Sequence, residues 1–286
     1  MSPTQFSIEQ TDPPRSPKET LPTMYDLPSE AVEEAGLPDE FHLWQAELSS
    51  ATFCPPNYPN DRIVVASDLN LYYDPRNPNW YKRPDWFAVV GIPRLYEERD
   101  LRLSYVIWQE GVRPSVAIEF LSPSTRAEDL GETERQVTPP SKWEVYEQIL
   151  AVPYYVVFDR LTDEMQVFRL EGKHYRPLEL PQSRVWLPEL NLGLGLWLGT
   201  YRGVRRQWLR WFDSQGNWIP TPDERTEGER QRAERERQRA ERERQEKETA
   251  QELLERERQE KEAAQQRAEQ LAERLRQAGI NPDDIS

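Results

Sequence analysis

The chain has 286 residues, a formal net charge of −14, 36% hydrophobic residues, one cysteine and two histidines. A single cysteine excludes an intrachain disulfide framework and a cysteine-rich zinc site, and two histidines exclude zinc catalysis through several imidazoles. The acidic balance counts against a nonspecific nucleic-acid binder, although it leaves room for a local basic groove.

The composition is uneven. Mean hydropathy is −0.90, low for one compact globule. From Asp223 to Ser286 there is no aromatic residue, and all ten tryptophans lie earlier. Three segments follow from this: a disordered tail at 1–21 rich in proline, serine and charge, a core-forming globular domain at 22–222, and a charged segment at 223–286. The last segment has 19 acidic and 15 basic residues, and the rest of the chain has 32 acidic and 22 basic. No stretch suits a signal peptide or reaches the roughly 18–20 apolar residues of a membrane span, so a soluble, cytoplasmic protein without a membrane partner is expected.

In chain order, Met24–Leu37 contains a helical turn expected at Ser29–Ala35. Pro38–Ser50 is a first helix, with Phe41, Trp44 and Leu48 on one face. Strands then dominate: Arg62–Ser67, Leu69–Tyr73, Trp86–Val90, Leu103–Trp108 and Ser115–Leu121. Their nearly continuous apolar runs suit burial on both faces. Ser141–Leu150 reads as a helix with Ser141 and Glu144 as a capping box. Tyr154–Phe158 is a strong strand, and Met165–Leu170 with His174–Leu180 forms a hairpin around Glu171-Gly172. Val185–Leu187 and Leu192–Trp197 follow, and a last hairpin is expected between Trp208–Phe212 and Asn217–Ile219. This order predicts a mixed α/β core and not a doubly wound repeat.

The tail repeats ERQRAER at 229–235 and 236–242, a period of seven. Its apolar content is poor, and its opposite charges at helical spacing suit a solvated helix. A continuous helix from Glu224 to Ala278 would be about 80 Å long. It reads as a lone exposed helix or as a weak coiled coil making a homo-oligomer, with Gly279 and Asn281-Pro282 as its stop.

Three polar residues interrupt the apolar pattern. Asp85 sits at the mouth of the Trp86–Val90 strand. Glu119 sits inside Val116–Leu121, where an unpaired carboxylate is costly. Lys142 opens the capped helix. Two carboxylates at adjacent strand ends can hold a divalent cation that activates water, and a nearby lysine can stabilise charge on a phosphate. With so few histidines and thiols, carboxylate-held Mg2+ or Mn2+ is the natural metal. Each residue also has a plainer reading. Glu119 could pair with Arg113 or Arg126, Asp85 could form a Pro-Asp turn, and Lys142 could be a solvated helix start. Glu47, Asp68 and Asp129 are weaker additional acids. Ser124 and Thr125 suit turn caps better than nucleophiles. Asp159, at a strand end, reads as structural. Arg202, Arg205, Arg206 and Arg210 interleave with Trp208 and Trp211, a pattern that can bind nucleic acid but more often marks an amphipathic surface.

The stretches Arg83–Val90, Ala117–Thr125 followed by Asp129, and Lys142–Tyr146 followed by Val152–Asp159 resemble the motifs of the Uma-two family. That family of restriction-endonuclease-like proteins is abundant in cyanobacteria and falls within the PD-(D/E)XK nuclease superfamily. The match spans roughly residues 40–200, and the charged tail resembles that of longer cyanobacterial members. The resemblance implies a central mixed sheet flanked by helices, Asp85 and Glu119 as metal-binding carboxylates, and DNA as substrate. The superfamily pattern places a lysine two residues after the glutamate, where this chain has Leu121; the resemblance passes that role to Lys142. The 130–141 segment, with Pro139-Pro140, is an insertion that could displace it.

Two functions compete. One is a metal-dependent endonuclease hydrolysing DNA phosphodiester bonds, with RNA or branched DNA as less favoured substrates. The other is a catalytically inactive nuclease fold that uses the charged helix for partner binding or oligomerisation.

Overall fold

A computed structural model describes residues 39–122, 125–132 and 138–279. The tail at 1–21, the turn at Ser29–Ala35 and Ser124 lie outside the described residues. The chain divides into two compact units, Met1–Thr221 and Pro222–Ser286.

The first described element is helix α1, Glu40–Thr52, capped by Asp39, whose side chain accepts from the His42 amide. A six-stranded mixed sheet follows, in the order β1, β4, β6, β7, β8, β9. These strands are Ile63–Ala66, Trp86–Val90, Val116–Phe120, Tyr154–Asp159, Glu164–Glu171 and His174–Pro177. Strands β6 and β7 run parallel, and all other neighbours in this sheet are antiparallel. A second sheet joins β10 (Arg184–Leu187), β11 (Leu192–Tyr201) and β12 (Val204–Phe212) in antiparallel order. A small third sheet pairs β2 (Leu71–Tyr72) with β3 (Tyr81–Lys82) and β5 (Tyr105–Val106). Short helices α2 (Ile107–Glu110) and α3 (Arg126–Asp129) follow β5 and β6. Helix α4 begins at Lys142–Glu144 and widens into a π turn at Val145–Ile149.

The alternation of strand side chains separates two cores. Trp86, Ile118, Phe120 and Phe158 point to one face, where Phe41 and Leu48 of α1 meet Trp208 and Trp211 of β12. Phe87, Val89, Ala117, Tyr155 and Val157 point to the other, with Leu71, Tyr105, Val145 and Tyr146. Glu119, between Ile118 and Phe120, therefore projects toward the α4 face.

Some expectations change. The strand expected at Leu103–Trp108 shortens to β5 and turns into α2, which closes at Gly111 with φ of 70°, a left-handed position that favours glycine. A long hairpin forms between β11 and β12, around Arg202-Gly203, and the expected last hairpin is present in short form: Phe212 bridges Trp218, the Ile219 amide donates to the Trp211 carbonyl and the Asp213 amide to the Asn217 carbonyl, both at 2.9 Å. Trp208 and Trp211 are buried at 1% and 0% exposure, so neither is a stacking surface for bases. Arg210 is buried with them, donates to the Ile219 carbonyl and stacks over Trp197 at 4.2 Å. In the second unit, helix α5 runs Pro222–Gln277 without a buried residue. No described helix is long and apolar enough to cross a membrane.

Buried Gln45 ties α1 to β12. Its Nε2 donates to the Leu209 carbonyl at 2.9 Å, and its Oε1 accepts from the Leu209 amide at 2.9 Å. The side-chain amide thus acts as a further strand at the β12 edge. Replacing Gln45 with Leu leaves two buried backbone groups unpaired and is expected to cost about 2–4 kcal/mol. Urea unfolding checks this: the midpoint falls while the m-value stays unchanged.

Candidate active site

Antiparallel pairing sets Trp86 opposite Ile118. One step further, Asp85 stands opposite Glu119, and the two share a sheet face. The Asp85 amide donates to Glu119 Oε2 at 3.4 Å, and the Phe120 amide donates to Asp85 Oδ2 at 2.6 Å. Glu119 is completely buried, and Asp85 is half-buried at the strand mouth.

Lys142 reaches this pair from α4. Its Nζ lies 3.0 Å from Glu119 Oε2 and 3.1 Å from Asp129 Oδ1. Tyr146, one helical turn later, donates its hydroxyl to Glu119 Oε1 at 2.9 Å. Ser141 caps the helix by accepting from the Glu144 amide at 3.2 Å, the expected capping contact. Glu128 secures the same end. Its Oε1 accepts from the Lys142 amide and from Lys82 Nζ, both at 2.8 Å. Tyr155 donates to the Asp129 carbonyl at 2.9 Å and holds α3 against β7.

The structure brings together Asp85, Glu119, Asp129 and Lys142. Lysine, and not Arg113 or Arg126, is the partner of Glu119; Arg126 pairs with Asp159 at 2.7 Å. The 130–141 segment leaves Lys142 in reach of the glutamate. Glu47 pairs instead with Arg202 and Asp68 with Arg83 at 2.6 Å, both exposed, and although the Asp68 amide donates to the Pro84 carbonyl at 3.1 Å its carboxylate is taken up by Arg83.

Residues 16–200, more than half of the chain, match the family model described as "Uma2: Putative restriction endonuclease". The chain belongs to the Uma2 family. It is thereby placed among restriction-endonuclease-like nucleases. Among solved structures, it is similar to a "putative nuclease belonging to DUF820" from Anabaena variabilis ATCC 29413. The two share 16% identity with a TM-score of 0.37, over 55% of this chain and 77% of that one. No curated protein gives a significant match.

The electrostatics of this Uma2 site are those of crowded acids around one cation. Burial pushes the Glu119 carboxyl up, Lys142 pulls it back, and Asp85 with Asp129 push it up again, leaving it well above the usual range. Burial likewise raises Asp129 against the pull of Lys142. Burial alone would lower Lys142, but Glu119, Asp129 and Asp85 hold it well above an ordinary lysine. Lys142 is therefore a fixed cation and hydrogen-bond donor, not a general base. Ionised together, the three carboxylates would outnumber the one ammonium by two charges, which is why the two buried acids resist losing their protons. Among the described residues the Asp129 oxygens accept no well-directed hydrogen bond; the Lys142 ammonium at 3.1 Å and the Thr125 side chain partly offset their burial. These features fit a divalent cation, although among the described residues no three acidic, histidine or cysteine side chains form a ready cage. Magnesium tolerates this, because it keeps several waters and takes one or two carboxylates.

Sequence reasoning treated His42 only as part of an inventory. Its Nδ1 lies 2.8 Å from Asp39 Oδ1 and its Nε2 lies 3.0 Å from the Phe120 carbonyl. Both oxygens only accept, so an imidazolium satisfies both. Burial pulls the ring down, but the Asp39 hydrogen bond and the charges of Asp85 and Asp39 outweigh it and raise its pKa. Burial would raise Asp39, yet His42 and Arg160 bring it to about 2. Tyr146 was also missed as a site residue. Its signal was its i, i+4 spacing from Lys142.

Burial raises the Glu119 pKa in the fold, so stability falls as pH rises above the unfolded value of 4.5. Glu119→Gln should melt at or above wild type at pH 7.5, whereas Lys142→Met should lose about 3–5 kcal/mol by stranding two buried acids; calorimetry compares them. For His42, a raised pKa means stability present below the unfolded value of 6.5 and lost as pH rises through the folded pKa. For Asp39, stability is present above 3.8 and lost as pH falls through about 2. Asp39→Asn should lower the His42 pKa, seen by NMR titration in a His174→Gln background that leaves one imidazole signal.

Proposed function

We propose that this chain hydrolyses DNA phosphodiester bonds with a divalent cation held by Asp85 and Glu119, with Asp129 as an additional acid. The reading rests on the crowding of carboxyl groups in the Asp85–Glu119–Asp129 cluster beside a permanently charged lysine. Family membership supports a nuclease, and the carboxylate donor set supports Mg2+ or Mn2+ over a softer metal. When bound there, such an ion would acidify a coordinated water and neutralise charge growing on the phosphate.

The chain's own residues then have separable tasks. Lys142 donates hydrogen bonds where negative charge develops and orients the attacking water. Tyr146, kept protonated by burial and by the Glu119 charge, fixes one carboxylate oxygen so that the other faces the site. Glu128 and Ser141 hold the helix start that aims Lys142. The Phe120 amide orients Asp85.

A second reading has its own observation. Lys142 already neutralises much of the acidic charge, which suits a nuclease fold retained for partner binding through α5. Supercoiled plasmid distinguishes the two. The first reading expects nicking by the full chain in Mg2+ or Mn2+, none with chelator, and a loss of about 10²–10³-fold in Asp85→Asn. Binding of Mn2+, followed by its paramagnetic resonance signal, should weaken in the same variant. No nicking in any metal, or nicking indifferent to Asp85→Asn, overturns it.

A further inference from the structure

Helix α5 has no buried residue, and its apolar residues are not scattered. Between Pro222 and Ala278 there are twelve alanines and leucines, and nine fall on one heptad seam. From Ala250 the seam runs Leu254, Glu257, Lys261, Ala264, Ala268, Leu271, Leu275 and Ala278, in alternating steps of four and three. It continues back through Lys247, Glu243, Ala240, Glu236 and Ala233. This spacing is that of a surface meant to meet another helix. Leu254 and Leu271 on it are 68% and 61% exposed.

The charged seam positions select the partner and its direction. In a parallel, in-register pair, Lys247 and Lys261 would each face themselves, as would Glu236, Glu243 and Glu257. Like charges held together in a seam repel at close range and disfavour that pairing. An antiparallel pair centred on Glu252 brings Glu243 opposite Lys261 and Lys247 opposite Glu257. The same register sets Ala250 against Leu254 and Ala233 against Leu271, a small residue facing a large one. It also engages the seam from Thr226 to Ala278. The rim does not choose between directions. Arg239 would meet Arg267 in one and Arg244 in the other, and solvated pairs contribute little.

We propose that α5 is the docking surface for a second copy of this chain, bound antiparallel with Glu243 facing Lys261 and Lys247 facing Glu257. The pairing is independent of the chemistry at the carboxylate cluster. It leaves the two Pro222 ends about 90 Å apart, at opposite ends of the rod.

Cysteine cross-linking of the full chain in a Cys54→Ser background tests direction. Leu253→Cys should form a disulfide with itself, because this position lies beside the seam at the centre of symmetry. A mixture of Ala233→Cys and Leu271→Cys chains should cross-link to each other. Cross-linking of Ala233→Cys with itself would show a parallel pair and overturn the proposal. Charge swaps test register by sedimentation. Lys247→Glu with Lys261→Glu should weaken the dimer at least about tenfold. Adding Glu243→Lys and Glu257→Lys should restore it. A monomeric wild type at tens of micromolar, or a dimer indifferent to the first swap, overturns the proposal.

Discussion

A carboxylate inside a central strand is the constraint around which this structure is arranged. Glu119 lies in β6, between two strands and under a helix, where an isolated charge would cost several kcal/mol even after relaxation. Lys142 meets one of its oxygens and Tyr146 the other. Those two contacts in turn require α4 to start at a set point, which Ser141 and Glu128 secure. The π turn that follows leaves Val145, Tyr146 and Glu147 all buried in succession. π turns recur at functional sites, and this one keeps Tyr146 inward while Glu147 accepts from the Tyr175 amide of β9. A single buried acid thus fixes helix position, helix geometry and the far edge of the sheet.

Much of this was legible in the sequence, and the reasons are local. Glu119 stood out because one acid broke an apolar run. Asp85 stood out because Pro84 and a buried strand flank it. The Trp86–Val90, Val116–Phe120 and Tyr154–Asp159 strands carry too many apolar residues in succession for half-exposed strands. Lys142 was not legible from spacing. Its role came from family resemblance, because no local rule connects a helix-start lysine to a strand 23 residues earlier.

The unread parts depend on contacts distant in sequence. His42 approaches the Phe120 carbonyl 78 residues away, and Gln45 pairs with Leu209 across 164. No window of sequence contains both partners. The β11–β12 hairpin was obscured by Arg205 and Arg206, whose charges read as surface, although Trp208 to Phe212 beyond them are buried. Asp129 reads from the sequence only as a weaker additional acid. Only the fold shows it buried, with Lys142 as its ion-pair partner.

The Glu119–Asp129–Lys142 group also shapes which descendants of this chain are reachable. Replacing such a buried ionic group with well-packed apolar residues is often neutral or stabilising when all members change together. Changing one member alone strands the others, and residues in one such network do not contribute additively. Lysine must not leave before the acids do. The sturdier apolar version therefore lies across a valley that single substitutions do not easily cross. Random mutation with selection for stability alone would erode the half-exposed Asp85 long before it dismantled the ion pair behind it. A chain in this fold could lose its chemistry and still carry the buried pair for a long time, so the presence of that pair in a relative is weaker evidence of activity than the presence of the aspartate at the strand mouth.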